Sequence, residues 1–282
     1  MSSYRFCRTD DMPLLVEAYN RAFIPHLSPR PAPLDVAGLK RWIRDVDLWC
    51  SSCLIARDDS GKLIGVLLGC KRPTETLVLA LGVHPEHLRQ GHGRHLLTSL
   101  SSKLAILGPP RLVAEVPADD ARACAFFESC GWTAETRMRD YTLDLSGVRA
   151  RLAPELVQEV TASELIAAGA LALDAPRPWA RAVPAVARRD DVQGLAIASP
   201  DRIEAWVLWR DVDGVREIQG LGSAPGADLP ITTLFGHFAA LAASPIVLAT
   251  APEQERSWTE VPTMALGAGR LVTRYVATAR AA

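Results

Sequence analysis

The sequence predicts an α/β chain of the α+β kind, built as two domains that each set a mixed, mainly antiparallel sheet against flanking helices. Three observations carry this. Short apolar runs separated by polar turns stand in series, as the strands of a meander do. Between them lie segments whose apolar residues return every three to four positions, the period of a helix. The order of these features in the first half then returns in the second.

Taken in order, Tyr4 to Arg8 reads as a short strand, and Met12, Leu14, Leu15, Ala18 and Phe23 keep a helical period. Pro29, Pro31 and Pro33 interrupt it, and Leu39, Trp42, Ile43 and Val46 form a second helix ending near Leu48. Three strands follow, Cys53 to Arg57, Lys62 to Cys70 and Thr76 to Val83, the first two joined by the turn residues Asp58 to Gly61. From His92 to Leu107 the leucines 96, 97, 100, 104 and 107 fall on one helical face, and Gly108, Pro109 and Pro110 stop the helix. A strand from Arg111 to Val116, a helix from about Asp120 to Ser129 and a terminal strand around Tyr141 to Leu145 complete a domain expected over 1–146.

Residues 147–168 read as a linker or connecting helix, and 169–282 as the second domain. There Leu195 to Ala198, a Ser199-Pro200-Asp201 turn, Ile203 to Trp209 and Val215 to Gly222 can be laid over the first meander. Arg30 to Pro33 is echoed by Pro176 to Trp179, and Cys130-Gly131 before Asp140-Tyr141 by Leu266-Gly267 before Arg274-Tyr275.

At 282 residues, 49% hydrophobic and 22% charged, the chain has the length and apolar content for two ordinary cores. A formal charge of -1 offers no basic field for nucleic acid, so a small molecule or a protein terminus is the expected partner. No apolar run reaches bilayer length, and the start, with Asp10 and Asp11, has no signal-peptide core; no membrane partner and a cytoplasmic location are expected. All six cysteines (Cys7, Cys50, Cys53, Cys70, Cys124, Cys130) lie in the first half, where reduced thiols are expected. Cys50 and Cys53 have the spacing of a zinc pair, but no second pair completes a tetrahedral site, and no metal is expected.

The strand Thr76 to Val83 leads through His84-Pro85-Glu86-His87-Leu88-Arg89-Gln90-Gly91-His92-Gly93-Arg94-His95 straight into a helix. A diphosphate needs several converging N–H donors; glycines let the main chain approach, and a helix's first turn supplies unpaired donors. Arg89 and Arg94 add charge-assisted contacts. The dinucleotide-binding glycine pattern is not met, because Leu96 stands at its third glycine, and a nucleoside triphosphate loop would need Gly-Lys-Ser/Thr.

Val83-His84-Pro85, then Arg89 to Arg94, then Asp120-Ala-Arg-Ala-Cys-Ala-Phe-Phe-Glu-Ser-Cys-Gly-Trp132 resemble the GNAT superfamily of N-acetyltransferases in order and spacing. The resemblance covers about the first 145 residues, and the rest only through the repeated fold, which implies a tandem chain with a degenerate second domain and a pseudo-dimeric monomer. It implies acetyl-CoA as acyl donor and a primary amine, of a small molecule or a protein N-terminus, as acceptor. It further implies that Gly91, His92, Gly93, Arg94 and His95 bind the pyrophosphate through main-chain N–H groups, with Arg89 and Gln90 beside them. Leu81, Gly82 and Val83 would lie along the pantetheine arm, which fills the gap where Thr76 to Val83 and Arg111 to Val116 splay apart.

Departures from the family pattern bear on the chemistry. Leu88 stands where an Arg or Gln opens the loop, and Asp120 where an Asn opens the later helix, which Asp120 can still cap. Phe127 matches the tyrosine that protonates the departing thiolate, and Leu79 the strand glutamate that serves as base. Glu115, His84 or an ordered water is then left to take the amine's proton, and Tyr141 to stand in for the tyrosine. Cys124 lacks the His-Asp partners of a thiol nucleophile. These losses motivate the alternative of a non-catalytic acyl-CoA-binding sensor.

In the second half the loop Ala224 to Pro230 holds one glycine, two prolines without N–H groups and an acid, so no cofactor is expected there. Trp179, Trp206, Trp209 and Trp258 are expected in core or interface.

Overall fold

The structure, a computed structural model, describes residues 2–144, 157–171, 177–212, 214–224, 231–241, 246–252 and 265–281. In chain order the elements are β1 (Ser3–Phe6), α1 (Met12–Ala22), α2 (Val36–Asp45), β2 (Leu54–Arg57), β3 (Leu63–Lys71), β4 (Glu75–Val83), α3 (His92–Leu107), β5 (Arg111–Pro117), α4 (Ala121–Ser129) and β6 (Thr133–Asp144). Then follow β7 (Val157–Glu159), α5 (Ala162–Ala167), α6 (Val183–Val186), β8 (Gln193–Ala198), β9 (Ile203–Val212), β10 (Val215–Ser223), α7 (Ile231–Leu241), β11 (Ile246–Pro252) and β12 (Ala265–Thr278).

Two compact units emerge: Met1–Thr136 with Thr273–Ala282, and Arg137–Val272. The sequence expectation closed the first domain at 146 and gave everything after 169 to the second. The structure instead sends β6 out of the first unit at Thr136 and returns the last ten residues to it. Long-range contacts make this return. Ala279 N donates to the Pro110 carbonyl at 2.6 Å, Thr133 Oγ1 to that of Val276 at 3.5 Å and Tyr275 Oη to Glu128 Oε1 at 2.9 Å.

In the first unit β1, β2, β3 and β4 pair antiparallel in that order, and β4 pairs with β5 in parallel. The leucine face of α3 covers this sheet: Leu96, Leu97, Leu100 and Leu104 are buried with Leu112, Ala114 and Val116 of β5 and Phe127 of α4. Each such leucine contributes about 2 kcal/mol relative to exposure. Leu107, expected on the same face, is 70% exposed, because it ends the helix where the chain turns at Gly108 towards β5. Asp35 caps α2 by accepting from Gly38 N at 2.6 Å, and Asp120 caps α4 by accepting from Ala123 N at 2.9 Å.

The second unit repeats the order. β7, β8, β9 and β10 form an antiparallel series, α7 follows, and β10 pairs in parallel with β11 at Arg216/Val247 and Glu217/Leu248. Its core joins Leu195, Ile197, Val207, Trp209, Ile218, Leu234, Phe235 and Phe238. Trp179, Trp206 and Trp209 are buried, as their apolar area requires. Residues 225–230 of the proline-bearing loop, and Trp258, lie outside the described residues.

Candidate active site

The site begins as a defect in strand pairing. β4 and β5 keep parallel register from Glu75/Arg111 to Val78/Ala114, after which β4 runs on to Val83 and β5 to Pro117 without pairing to each other. On the other side of β4 the register with β3 jumps between Leu68/Ala80 and Gly69/Val78, so Leu79 is an extra, bulged residue. A bulge bends a strand and raises its local twist, and this one sits where the two strands part. At about 3.3 Å per residue, Leu79 to Val83 leaves about 16 Å of strand edge open.

The polarity of that edge follows from antiparallel alternation. His84 N donates to the Ile64 carbonyl of β3 at 2.8 Å, so Gly82 and Ala80 also turn their peptide groups to β3, while Leu81 and Val83 turn theirs into the opening. Side chains obey the same alternation. Leu112, Ala114 and Val116 face α3 and α4, which puts Glu115 on the opposite face. On that face the end of α1 presses onto β4: a Cβ at Gly82 would stand 2.5 Å from the Ala22 carbonyl oxygen.

Beyond β4 the chain makes a short 3₁₀ turn, Pro85–His87, then takes two left-handed residues, Arg89 at φ 59° and Gly91 at φ 87°. Gly91 is the N-cap of α3 and has no side chain to cap its first turn, so the leading N–H groups at residues 92–94 are directed outward past an exposed glycine. Such a terminus favours an anion by geometry and dipole together. Gly93 lets Phe126 pack close, a Cβ there meeting its ring at 3.4 Å. Arg89, Gln90, Arg94 and His95 are exposed around the terminus, and Arg94 reaches Ser129 Oγ at 3.3 Å.

His92 is buried with its ring committed elsewhere. Tyr4 Oη donates to its Nδ1 at 2.5 Å, and its Nε2 faces Gln90 Oε1 at 3.4 Å. Burial, then the neighbouring His87 and His95, hold its pKa below the ordinary histidine value. Only its main chain is available to a ligand.

The proton-transfer candidates are distributed unevenly. Glu115 lies one residue past the last β4–β5 pair, and Arg274 NH2 donates to its Oε1 at 2.7 Å from a side chain 11% exposed. His84 is half-buried at the end of β4, its Nδ1 3.4 Å from Glu86 N and 3.7 Å from Glu86 Oε2. His84, Glu86 and His87 are, among the described residues, the one group with metal-ligand geometry. Tyr141 belongs to the second unit and packs on that unit's core. Phe127 is buried against Trp132, with ring centroids 5.1 Å apart, and stacks with Tyr275 at 6.0 Å. Asp120 is occupied as a cap. All six cysteines are free thiols; burial pushes Cys7 up to about 12 and raises Cys53 and Cys70 as well.

Four residues near the opening escaped sequence reasoning: Arg274 and Tyr275, supplied from the far end of the chain, and His26 with Arg122. His26 Nε2 stands 2.7 Å from the Val83 carbonyl oxygen and its Nδ1 3.2 Å from Arg122 NH2. Arg122 stands in the quoted Asp120–Trp132 segment and Arg274-Tyr275 in the second-half echo, but sequence distance hid that they meet near the opening.

Residues 13–132 match the Acetyltransferase (GNAT) family. A [ribosomal protein bS18]-alanine N-acetyltransferase of Escherichia coli K12 is 39% identical over 67 residues, 24% of this chain and 45% of that protein, so the match spans about half its length. Among solved structures, a GCN5-related N-acetyltransferase from Sphaerobacter thermophilus aligns with TM-score 0.65 at 14% identity, covering 99% of this chain and 96% of the other. A tandem GNAT protein from the clavulanic acid biosynthesis pathway aligns with TM-score 0.67 at 14% identity over 99% of both chains. At such identities the structural likeness concerns the fold.

Proposed function

We propose that the protein, whose residues 13–132 match the Acetyltransferase (GNAT) family, transfers an acetyl group from acetyl-CoA to a primary amine, on a small molecule or a protein N-terminus. The observation that carries this reading is the divergence of β4 and β5 after Val78/Ala114, directly beside the uncapped start of α3. A pantetheine arm has two amides, each with a donor and an acceptor, and the edge presents the Leu81 N–H and carbonyl and the Val83 N–H, the Val83 carbonyl being held by His26. The main-chain N–H groups at residues 91–94 would take the diphosphate, with Arg89 and Arg94 adding charge, whereas the expected His95 N–H is committed to the Gly91 carbonyl at 3.0 Å.

In the transfer the amine nitrogen attacks the thioester carbonyl carbon, a C–N bond forms, the C–S bond breaks, and sulfur leaves as a thiolate. One proton must leave nitrogen and one must reach sulfur. Leu79 and Phe127 can do neither. Glu115 and His84 are the side chains assigned to removing the proton, directly or through water, Glu115 with its carboxylate oriented by Arg274.

Sparse proton-transfer chemistry bears on the acceptor. An α-amine, with pKa near about 8, is about 10% neutral at pH 7, whereas a lysine amine near about 10.4 is below about 0.1%. An α-amino acceptor therefore asks less of this site, a preference in line with the alanine N-acetyltransferase activity named for the Escherichia coli relative.

The same losses favour the second reading, an acyl-CoA-binding sensor without turnover. Calorimetry with coenzyme A, followed by thiol release from acetyl-CoA over a panel of α-amines and lysine-like amines, separates the two. Turnover with α-amines preferred is the expected result. Binding without turnover on any amine establishes the sensor, and absence of binding, or binding untouched by Gly91→Glu, overturns both.

A further inference from the structure

We infer that His26 is a positioning residue for the acyl-donor arm, tying the end of β4 to the start of α4 across the mouth of the opening. The inference rests on the acetyl-CoA reading above.

Hydrogen-bond chemistry fixes the state of the ring. A carbonyl oxygen only accepts, so the nitrogen 2.7 Å from Val83 O, Nε2, carries the hydrogen. A guanidinium only donates, so Nδ1, 3.2 Å from Arg122 NH2, is the acceptor. Neutral imidazole thus bridges two elements that follow the two diverging strands: the last residue of β4 and the first turn of α4, which comes directly after β5. The carbonyl it holds is the one that strand alternation turns into the opening.

His26 is itself firmly seated. Its main-chain N donates to the Phe23 carbonyl at 3.0 Å, and Leu27 N to that of Ile24 at 3.0 Å, closing a short 3₁₀ turn after α1. That turn lies against β4 because residue 82 is glycine: a Cβ there would be 2.7 Å from Phe23 Cα. The imidazole therefore arrives at Val83 on a braced support.

An arm laid along an open strand edge binds best when the edge is already in position, since ordering it on binding costs entropy. The bridge fixes the Val83 peptide plane and the separation of β4 from α4, while the Leu81 peptide groups and the Val83 N–H stay available.

The test is coenzyme A calorimetry on the full chain carrying His26→Ala, His26→Gln or Arg122→Met, with acetyl-CoA kinetics on whichever amine is turned over. Losing one bridging hydrogen bond is expected to weaken coenzyme A binding about three- to tenfold, appearing as a raised KM for acetyl-CoA with kcat within about twofold. His26→Gln, which ends in one donor and one acceptor, is expected to restore most of the affinity. Should His26→Ala fold poorly, Arg122→Met removes the other end of the bridge from an exposed position and carries the same expectation. Unchanged affinity in both variants overturns the inference. Tighter binding in His26→Ala also overturns it, showing that the ring competes with the arm for the carbonyl. Wild-type protein that binds no coenzyme A sinks the acetyl-CoA reading itself, an outcome distinct from wild-type binding that His26→Ala leaves untouched.

Discussion

Replacing Gly82 by alanine tests whether contact between α1 and β4 sets the geometry of the opening. The added methyl would stand 2.5 Å from the Ala22 carbonyl oxygen, 2.7 Å from Phe23 Cα and 2.9 Å from the Ala22 carbonyl carbon, all main-chain atoms without a rotamer to change. Ordinary contact begins at 3.4 Å, so the end of α1 has to retreat by about 0.9 Å. Overpacking of this kind costs about 1–3 kcal/mol. For a unit of this size that corresponds to about 3–9 °C in melting temperature. The retreat also carries His26 away from Val83, so coenzyme A affinity should fall together with stability. Gly194→Ala in the second unit is the control, since its methyl would collide with the Val160 carbonyl far along the chain from the opening. It is expected to lower the melting temperature and leave coenzyme A affinity at the wild-type value. Differential scanning calorimetry and titration calorimetry read both quantities. A Gly82→Ala protein with unchanged melting temperature and affinity refutes the claim that α1 is pressed onto β4. Equal losses of affinity in both variants refute the link to the opening.

Two further outcomes follow from groups around the same site. Arg274→Met removes the guanidinium that donates to the largely buried Glu115 carboxylate at 2.7 Å, and a urea titration should record a loss of about 3 kcal/mol. Adding Glu115→Gln should recover most of that loss while abolishing any proton removal by Glu115; no loss in the single variant would mean that the pair does not hold β12. For His92, burial lowers the folded-state pKa, so as pH falls the unfolded chain takes up the proton first. Stability should therefore decline as pH drops below about 6.5, and His92→Gln should flatten the melting-temperature profile between pH 7 and 5; an unchanged slope would assign the acid loss to other groups.

Local chemistry made much of the first unit legible in advance. The α3 helix runs from His92 to Leu107 as its leucine spacing requires, and the loop before it takes its left-handed turns at Arg89 and Gly91 within a single continuous segment. The duplicated meander was legible for the same reason, because turn residues and apolar runs are read over a few positions at a time. Tyr141 shows the limit of such reading. A strand of suitable length with a tyrosine in it looked like the end of the first domain, but only pairing across the whole chain assigns residues 137–144 to the second unit.

What the sequence determined by itself is the class of most elements of the first unit, the repeated order of the meander and the position of a glycine-led helix start, since these depend on neighbours within about one helical turn or one hairpin. Tertiary structure alone decided that Leu79 is bulged, that the expected parting of β4 and β5 begins after Val78/Ala114, that Arg274 and Tyr275 return to complete the first unit, and that His26 bridges Val83 and Arg122. Strand register and side-chain contacts between distant segments depend on how all the apolar faces are buried at once, and no local spacing encodes that choice.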